Sequence, residues 1–237
     1  MTKKSLLLVV LLTIYSFTNS QEISLGMKGG VNYNSNRDIK GRSSGGSYTT
    51  DLFAADKEMG TQYGAFLDIS FGKIFLRPEV LFTSLKNTYA FPTKPANWSA
   101  TRMDIPVMLG VHIYGPASIV AGPVFSSVSD FEMEGLDDWS DPIIYDESTM
   151  NLQIGILLEF GRFGLDLRYE YGLKKVELQE AVDFTHGYNG YGINLADLYE
   201  YNPSQIILSV HIGILRFSTT NERKNRSRSD WRNHKRL

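Results

Sequence analysis

The sequence predicts an all-β protein, an eight-stranded antiparallel up-and-down β-barrel that crosses a membrane with its strands. Three observations carry this expectation. Eight runs of strand-forming residues follow one another, most alternating apolar and polar side chains; tight and long connections take turns between them; and the chain opens with an export signal.

Residues 1–20 hold a basic pair, Lys3 and Lys4, an apolar run from Leu6 to Ile14, and small or polar residues up to Ser20. That is the pattern of a cleaved secretory signal, with Thr18 and Ser20 ahead of a cut before Gln21. A spanning helix needs about 20 apolar residues, so this run is too short to anchor the chain. The absence of cysteine removes disulfides, thiolate metal sites and a lipid-modified N-terminus. Formal net charge is −2, unevenly placed: residues 218–237 hold seven Lys or Arg against two acids and carry +5, whereas 21–217 carry −9. The expected organisation is a signal peptide at 1–20, an outer-membrane barrel at 21–217, and a basic C-terminal tail at 218–237 that is disordered and periplasmic.

The eight runs are Glu22 to Tyr33, Thr61 to Phe71, Lys73 to Leu85, Arg102 to Tyr114, Ala117 to Val128, Met150 to Phe160, Phe163 to Leu173 and Gln205 to Phe217. In the fourth, Met103, Ile105, Val107, Leu109, Val111 and Ile113 share one face, while Arg102, Asp104, Pro106, Met108, Gly110 and His112 share the other. The seventh repeats the design: Phe163, Leu165, Leu167, Tyr169 and Tyr171 oppose Gly164, Asp166, Arg168, Glu170 and Gly172. In the sixth, Leu152, Ile154, Ile156, Leu158 and Phe160 oppose Asn151, Gln153, Gly155 and Glu159. The fifth run alternates poorly, and the sequence does not fix the parity of the eighth near Arg216.

Phe71-Gly72-Lys73, Tyr114 to Ala117 and Phe160 to Phe163 are tight turns, and gaps of about 27, 16, 21 and 31 residues fill the other connections. Short turns at one end and long loops at the other are the form of an outer-membrane barrel with both termini in the periplasm. A soluble eight-stranded barrel shares the alternation, so the wet face must be decided otherwise. The charged face is also rich in glycine, which suits a narrow interior. Aromatic residues gather at strand ends (Tyr33, Phe71, Phe82, Tyr114, Phe160, Phe163, Tyr171), where interfacial girdles belong. With no helix pattern to cover it, the apolar face is left to lipid. Pro78, Pro106 and Pro123 lie inside these strands, and bulges are expected there because proline removes a ladder donor and a closed barrel has no edge.

Lys28-Gly29-Gly30-Val31-Asn32, Arg77-Pro78-Glu79-Val80-Leu81-Phe82 and Asp104-Ile105-Pro106-Val107-Met108-Leu109 resemble the PorT-like outer-membrane barrel family of the Bacteroidetes. Gly122-Pro123, Leu165 to Leu173 and the final strand ending in Phe217 extend the resemblance over the whole mature barrel. It implies a porin-like barrel fold and an envelope location. One named member, PorT, is linked to type IX secretion, a role that family membership does not transfer. The chain departs from the pattern by continuing about twenty residues past the terminal aromatic.

The inward charges expected from this parity are Lys28, Asp68, Arg77, Glu79, Arg102, Asp104, Glu159, Asp166, Arg168 and Glu170, with His112 and His211 beside them. They read as a salt-bridged structural network filling a narrow lumen, or alternatively as a substrate pathway. Arg77 with Glu79 and Arg102 with Asp104 are the first pairs expected.

Residues 130–149 hold eight carboxylates and no base; dense acids suit calcium, but the spacing lacks a dedicated calcium-loop pattern and reads first as a solvated loop. Trp98, Trp139 and the Tyr188 to Tyr201 stretch suit glycan or partner contact, or the membrane interface. The basic tail suits lipid headgroups or an acidic periplasmic partner, and its compartment argues against nucleic acid. No serine elbow, metal-ligand cluster or phosphate loop is present, and His112, His186, His211 and His234 are scattered. No cofactor or catalysis is expected. The expected function is a non-catalytic outer-membrane barrel with a structural, secretion-accessory or partner-binding role, contacting outer-membrane lipid and a periplasmic or extracellular protein. The alternative is a narrow porin or small-molecule transport protein.

Overall fold

Three two-residue hairpins, Gly72-Lys73, Gly115-Pro116 and Gly161-Arg162, set the architecture. In each only the glycine is left-handed, with φ of 66°, 53° and 68°, the pattern of a type II′ turn, whose twist matches that of the flanking strands. A computed structural model describes residues 21–42, 50–134, 143, 147–183 and 190–218. The signal segment and the tail beyond Ser218 lie outside the described residues, as do Asp137, Asp138, Trp139, Asp141 and Asp146 of the acidic loop, Tyr188, His186 and His234.

Among the described residues thirteen strands are formed: β1 (Gln21–Asn34), β2 (Ile39–Gly41), β3 (Leu52–Phe53), β4 (Asp56–Lys57), β5 (Met59–Phe71), β6 (Ile74–Tyr89), β7 (Ala96–Tyr114), β8 (Ala117–Met133), β9 (Ser148–Phe160), β10 (Phe163–Gly172), β11 (Gln179–Asp183), β12 (Leu195–Leu198) and β13 (Ser204–Ser218). The eight long ones, β1, β5, β6, β7, β8, β9, β10 and β13, pair antiparallel in that order, and β13 returns to β1. The sheet is therefore a closed eight-stranded ring, and both described chain ends lie at the turn end.

The strands outrun a bilayer at the loop end. A barrel strand crosses in about 9–11 residues, yet β6, β7 and β8 have 16, 19 and 17. Above the ring, β11, β12, β2 and β3 form a separate four-stranded sheet, with the long connections partly folded into it. Ile39, Tyr89, Phe91, Trp98, Met133, Ile193 and Leu198 pack together there as a second core. These strands are two to five residues long, too short for a period to be read from the sequence.

The bulges fall elsewhere than at the prolines. Register is unchanged across Pro78, Pro106 and Pro123; the Cα pairing instead lapses for two residues on each strand, at 67–68 against 77–78, 79–80 against 105–106, and 107–108 against 122–123. A missing donor thus loosens the ladder locally without adding a residue, and neighbours on both sides keep the phase. The register shifts in the ring lie at Ile214, opposite Leu25 and Gly26, at Ser129, opposite Thr101 and Arg102, and next to Ile113. The extra Ile214 explains the parity change near Arg216: Ile206, Leu208, Val210 and Ile212 face outward, and after the bulge Leu215 and Phe217 do. The fifth run alternates poorly because its inward positions, Val120 and Val124, are themselves apolar and buried.

Candidate functional site

All ten charged positions expected inside lie on inward-facing positions; nine are buried, and Glu159 is half-buried near the turn end. They form three layers along the lumen.

The middle layer is electrically balanced. Arg168 Nη2 donates to Glu79 Oε1 at 2.6 Å and Nη1 to Glu79 Oε2 at 3.0 Å, while its Nε donates to Asp166 Oδ1 at 2.9 Å. Lys28 Nζ donates to Asp166 Oδ2 at 2.6 Å and to Glu79 Oε2 at 3.2 Å. In an eight-membered ring β6 and β10 stand opposite each other, so the Arg168–Glu79 bridge spans the full diameter. Paired, planar contacts of this kind fix geometry as well as charge.

In the layer toward the loop end, Arg102 binds Asp104 at 3.0 Å and Glu170 at 2.7 Å. The surplus carboxylate charge is met by neutral donors: Thr83 and Ser126 hydroxyls to Asp104, and Asn151 and Gln153 amides to Glu170. Gln153 also accepts from Arg168 Nη1 at 3.1 Å, which ties this layer to the middle one. These four neutral partners carry no charge to single them out in the sequence, although Asn151 and Gln153 stood on the polar face of their run.

The layer toward the turn end corrects one expected pair. Arg77 does not bind Glu79; its Nε and Nη2 donate to Asp68 at 2.6 and 2.5 Å, and Nη2 to Glu159 at 2.8 Å. Glu79 is taken by Arg168 and Lys28 across the lumen, and the Arg77 guanidinium instead lies 4.7 Å from the Phe66 ring centroid and 5.4 Å from that of Phe75. His211 Nε2 stands 3.7 Å from Glu159 Oε1, and His112 Nδ1 meets Ser118 Oγ at 2.8 Å.

Part of the lumen is apolar. Phe75, Met108, Val120 and Leu157 form a buried cluster on the β6 to β9 wall, where Gly110 leaves the space that the Phe75 ring occupies. The interior is thus not uniformly polar. Below these layers a polar vestibule of about 330 Å³ opens at the turn end, lined by Asp68, Arg77, Glu159 and His211 among others. At the loop end a mostly apolar cavity of about 110 Å³ sits beneath the second core, lined by Tyr89, Trp98, Phe131 and Leu198, with Arg102 at its floor. Among the described residues, no group of three or more His, Asp or Glu is placed to hold a metal ion.

Outside, Leu109, Ile154, Ile156, Leu165, Leu167, Leu208 and Val210 are all exposed, a continuous apolar belt between aromatic ends at Tyr63, Phe82 and Tyr169 on one side and Phe160, Phe163 and Phe217 on the other. Such a belt is expensive in water and suits lipid.

Solved structures with a similar fold include Neisserial surface protein A (TM-score 0.44, 11% identity, covering 81% of this chain and 99% of that one). OprG from Pseudomonas aeruginosa is another (0.46, 10%, 84% and 96%). A third is Ail, the attachment invasion locus protein of Yersinia pestis, solved with the heparin analogue sucrose octasulfate (0.38, 10%, 84% and 99%). No curated protein sequence matches. Residues 17–177 match the outer membrane protein beta-barrel domain. With that match over most of its length, a closed eight-stranded ring and an apolar outer belt, the chain belongs to the outer membrane protein beta-barrel domain family and resides in the outer membrane.

Proposed function

We propose that this protein is a non-catalytic envelope barrel, closed to ions, that presents its loop end to a partner outside the cell. The observation that carries this reading is the Arg168–Glu79 bridge across the lumen, flanked by charged layers above and below. A narrow barrel whose own side chains fill it leaves no aqueous path. In this reading residues 1–20 are a removed signal, the tight turns and the basic tail face the periplasm, and the ten inward charges are structural. The extended β6, β7 and β8 supply a surface on which a protein partner can dock.

Purified protein in planar bilayers is expected to show no steady ion conductance. Steady channels, with a selectivity that changes when Arg168 is replaced, would reject the closed barrel and establish the narrow porin in its place.

A further inference from the structure

The three charged layers are not balanced alike. In the middle layer Lys28 and Arg168 meet Glu79 and Asp166, two charges of each sign. The loop-end layer holds one carboxylate more than Arg102 neutralises, and two hydroxyls and two amides take up the excess. The turn-end layer has the same excess, Asp68 and Glu159 against Arg77, yet among the described residues no hydroxyl or amide donates to either. Arg77 closes a two-nitrogen contact on Asp68 and gives Glu159 a single bond, to Oε1. His211 Nε2, at 3.7 Å, is beyond hydrogen-bond reach of that oxygen. Glu159 is also the most open of the ten inward charges, its side chain 32% exposed, and it lines the vestibule of about 330 Å³.

His211 lines the same vestibule and holds a second unmet group. The residue is 5% exposed, its ring set edge-on to Phe66, 5.2 Å between centroids, in the space that Gly164 leaves. Its Nδ1 is buried with no hydrogen-bond partner among the described residues. With Nε2–H turned toward the Glu159 carboxylate, Nδ1 is an acceptor. Carboxylate and imidazole therefore both lack a donor, and the carboxylate lacks a positive charge as well. At the rim Arg216 is paired with Glu22, and Arg162 is exposed, where water and salt screen it.

We propose that the turn-end vestibule binds one organic cation, a guanidinium or primary ammonium, between Glu159 and His211. A guanidinium suits both, since its planar fork donates to a carboxylate and to a neighbouring acceptor at once. Two sources carry this chemistry. One is a free small molecule; the other is the set of seven Lys and Arg in residues 219–237, which follow directly on Ser218, the partner of the lining residue Glu22.

The test uses the full chain in lipid nanodiscs with isotope-labelled histidine, the His211 ring signal being the one that His211→Gln removes. Methylguanidinium, its neutral isostere N-methylurea and acetate are titrated against that signal. Methylguanidinium is expected to bind saturably and at least tenfold more tightly than N-methylurea, and acetate not at all. Glu159→Gln should remove the preference, and the heat-modifiable folded band should remain because the Arg77–Asp68 contact is untouched. Gly213→Phe leaves every charge in place and directs a ring into the vestibule, its Cβ making ordinary contact 3.5 Å from Ser24 Oγ. It should weaken methylguanidinium at least tenfold, and either variant carries the test should the other fail to fold. A full-length chain with its seven tail cations changed to Gln identifies the source. Tighter methylguanidinium binding than in the unaltered chain assigns the site to the tail, and equal binding assigns it to a free cation. No saturable binding by either chain, equal affinity for methylguanidinium and N-methylurea, or binding that survives Gly213→Phe would each overturn the proposal. None of these outcomes depends on conductance, so this site and the closed lumen stand or fall separately.

Discussion

Arg168 on β10 grips Glu79 on β6 with two nitrogens, at 2.6 and 3.0 Å, across the full width of the barrel. Both side chains are buried, so neither charge has water to fall back on. Removing one partner of such a pair leaves the other desolvated at a cost of about 3–5 kcal/mol. Arg168→Met and Glu79→Leu should each lower the denaturant midpoint accordingly in detergent micelles. Made together they leave the Lys28–Asp166 pair intact, and the double variant should recover most of the loss. Additive losses would show that the two residues act independently.

The outer belt makes a second test. Leu167 is 50% exposed beside Ile156 at mid-barrel, and Leu52 of the small sheet is 56% exposed. Equal exposure to different solvents predicts unequal results. Leu167→Arg should cost about 2–4 kcal/mol in refolding into vesicles, the range for a cation at the bilayer midplane, whereas Leu52→Arg should change stability within about 0.5 kcal/mol. A tolerated Leu167→Arg would place that face in water.

Sidedness can be read by chemistry because the chain has no cysteine of its own. Thr93→Cys, in the β6–β7 connection, should react with an impermeant maleimide on intact cells, and Lys73→Cys, in a tight turn, only after the outer membrane is opened. The reverse pattern would invert the orientation proposed above.

The bulge at Ile214 yields a sharper result. Deleting this residue makes Gly26–Gly213 and Leu25–Leu215 adjacent rungs, so Leu215 and Phe217 keep facing lipid and Arg216 stays beside Glu22. The folded band on unheated gels should be retained in the outer-membrane fraction, whereas inserting one alanine after Leu215, which turns Phe217 toward the lumen and Arg216 to the lipid side, should lower it several-fold.

Parity was legible in β7 and β10 because apolar and polar residues alternate there without interruption, and it placed Arg102, Asp104, Asp166, Arg168 and Glu170 inside. What a period cannot convey is reach. Arg77 and Glu79 are two residues apart on one face, yet each finds its carboxylate or cation on another strand, because long side chains in a narrow tube meet the far wall as readily as their own. The prolines misled for a related reason: a lost donor weakens one rung, and a ring held by neighbours on both sides absorbs it without an inserted residue. The small sheet left no trace, since Arg42 of the β2 connection binds Asp197 of β12 at 2.6 Å across a separation that no local pattern spans.

The closure of the ring also governs how the molecule can be made. The β1–β13 ladder runs from Glu22 opposite Ser218 to Asn34 opposite Gln205, joining the two ends of the described chain. Until the last strand is delivered, β1 and β10 are open edges bordering an apolar sheet, the combination that invites pairing between molecules. Contacts of such long range are slow to form because the entropy of closing the intervening loop must be met first. Delivery of the complete polypeptide to the membrane is therefore a kinetic necessity, and a chain truncated before Ser204 is expected to aggregate in the periplasm instead of inserting as a smaller barrel.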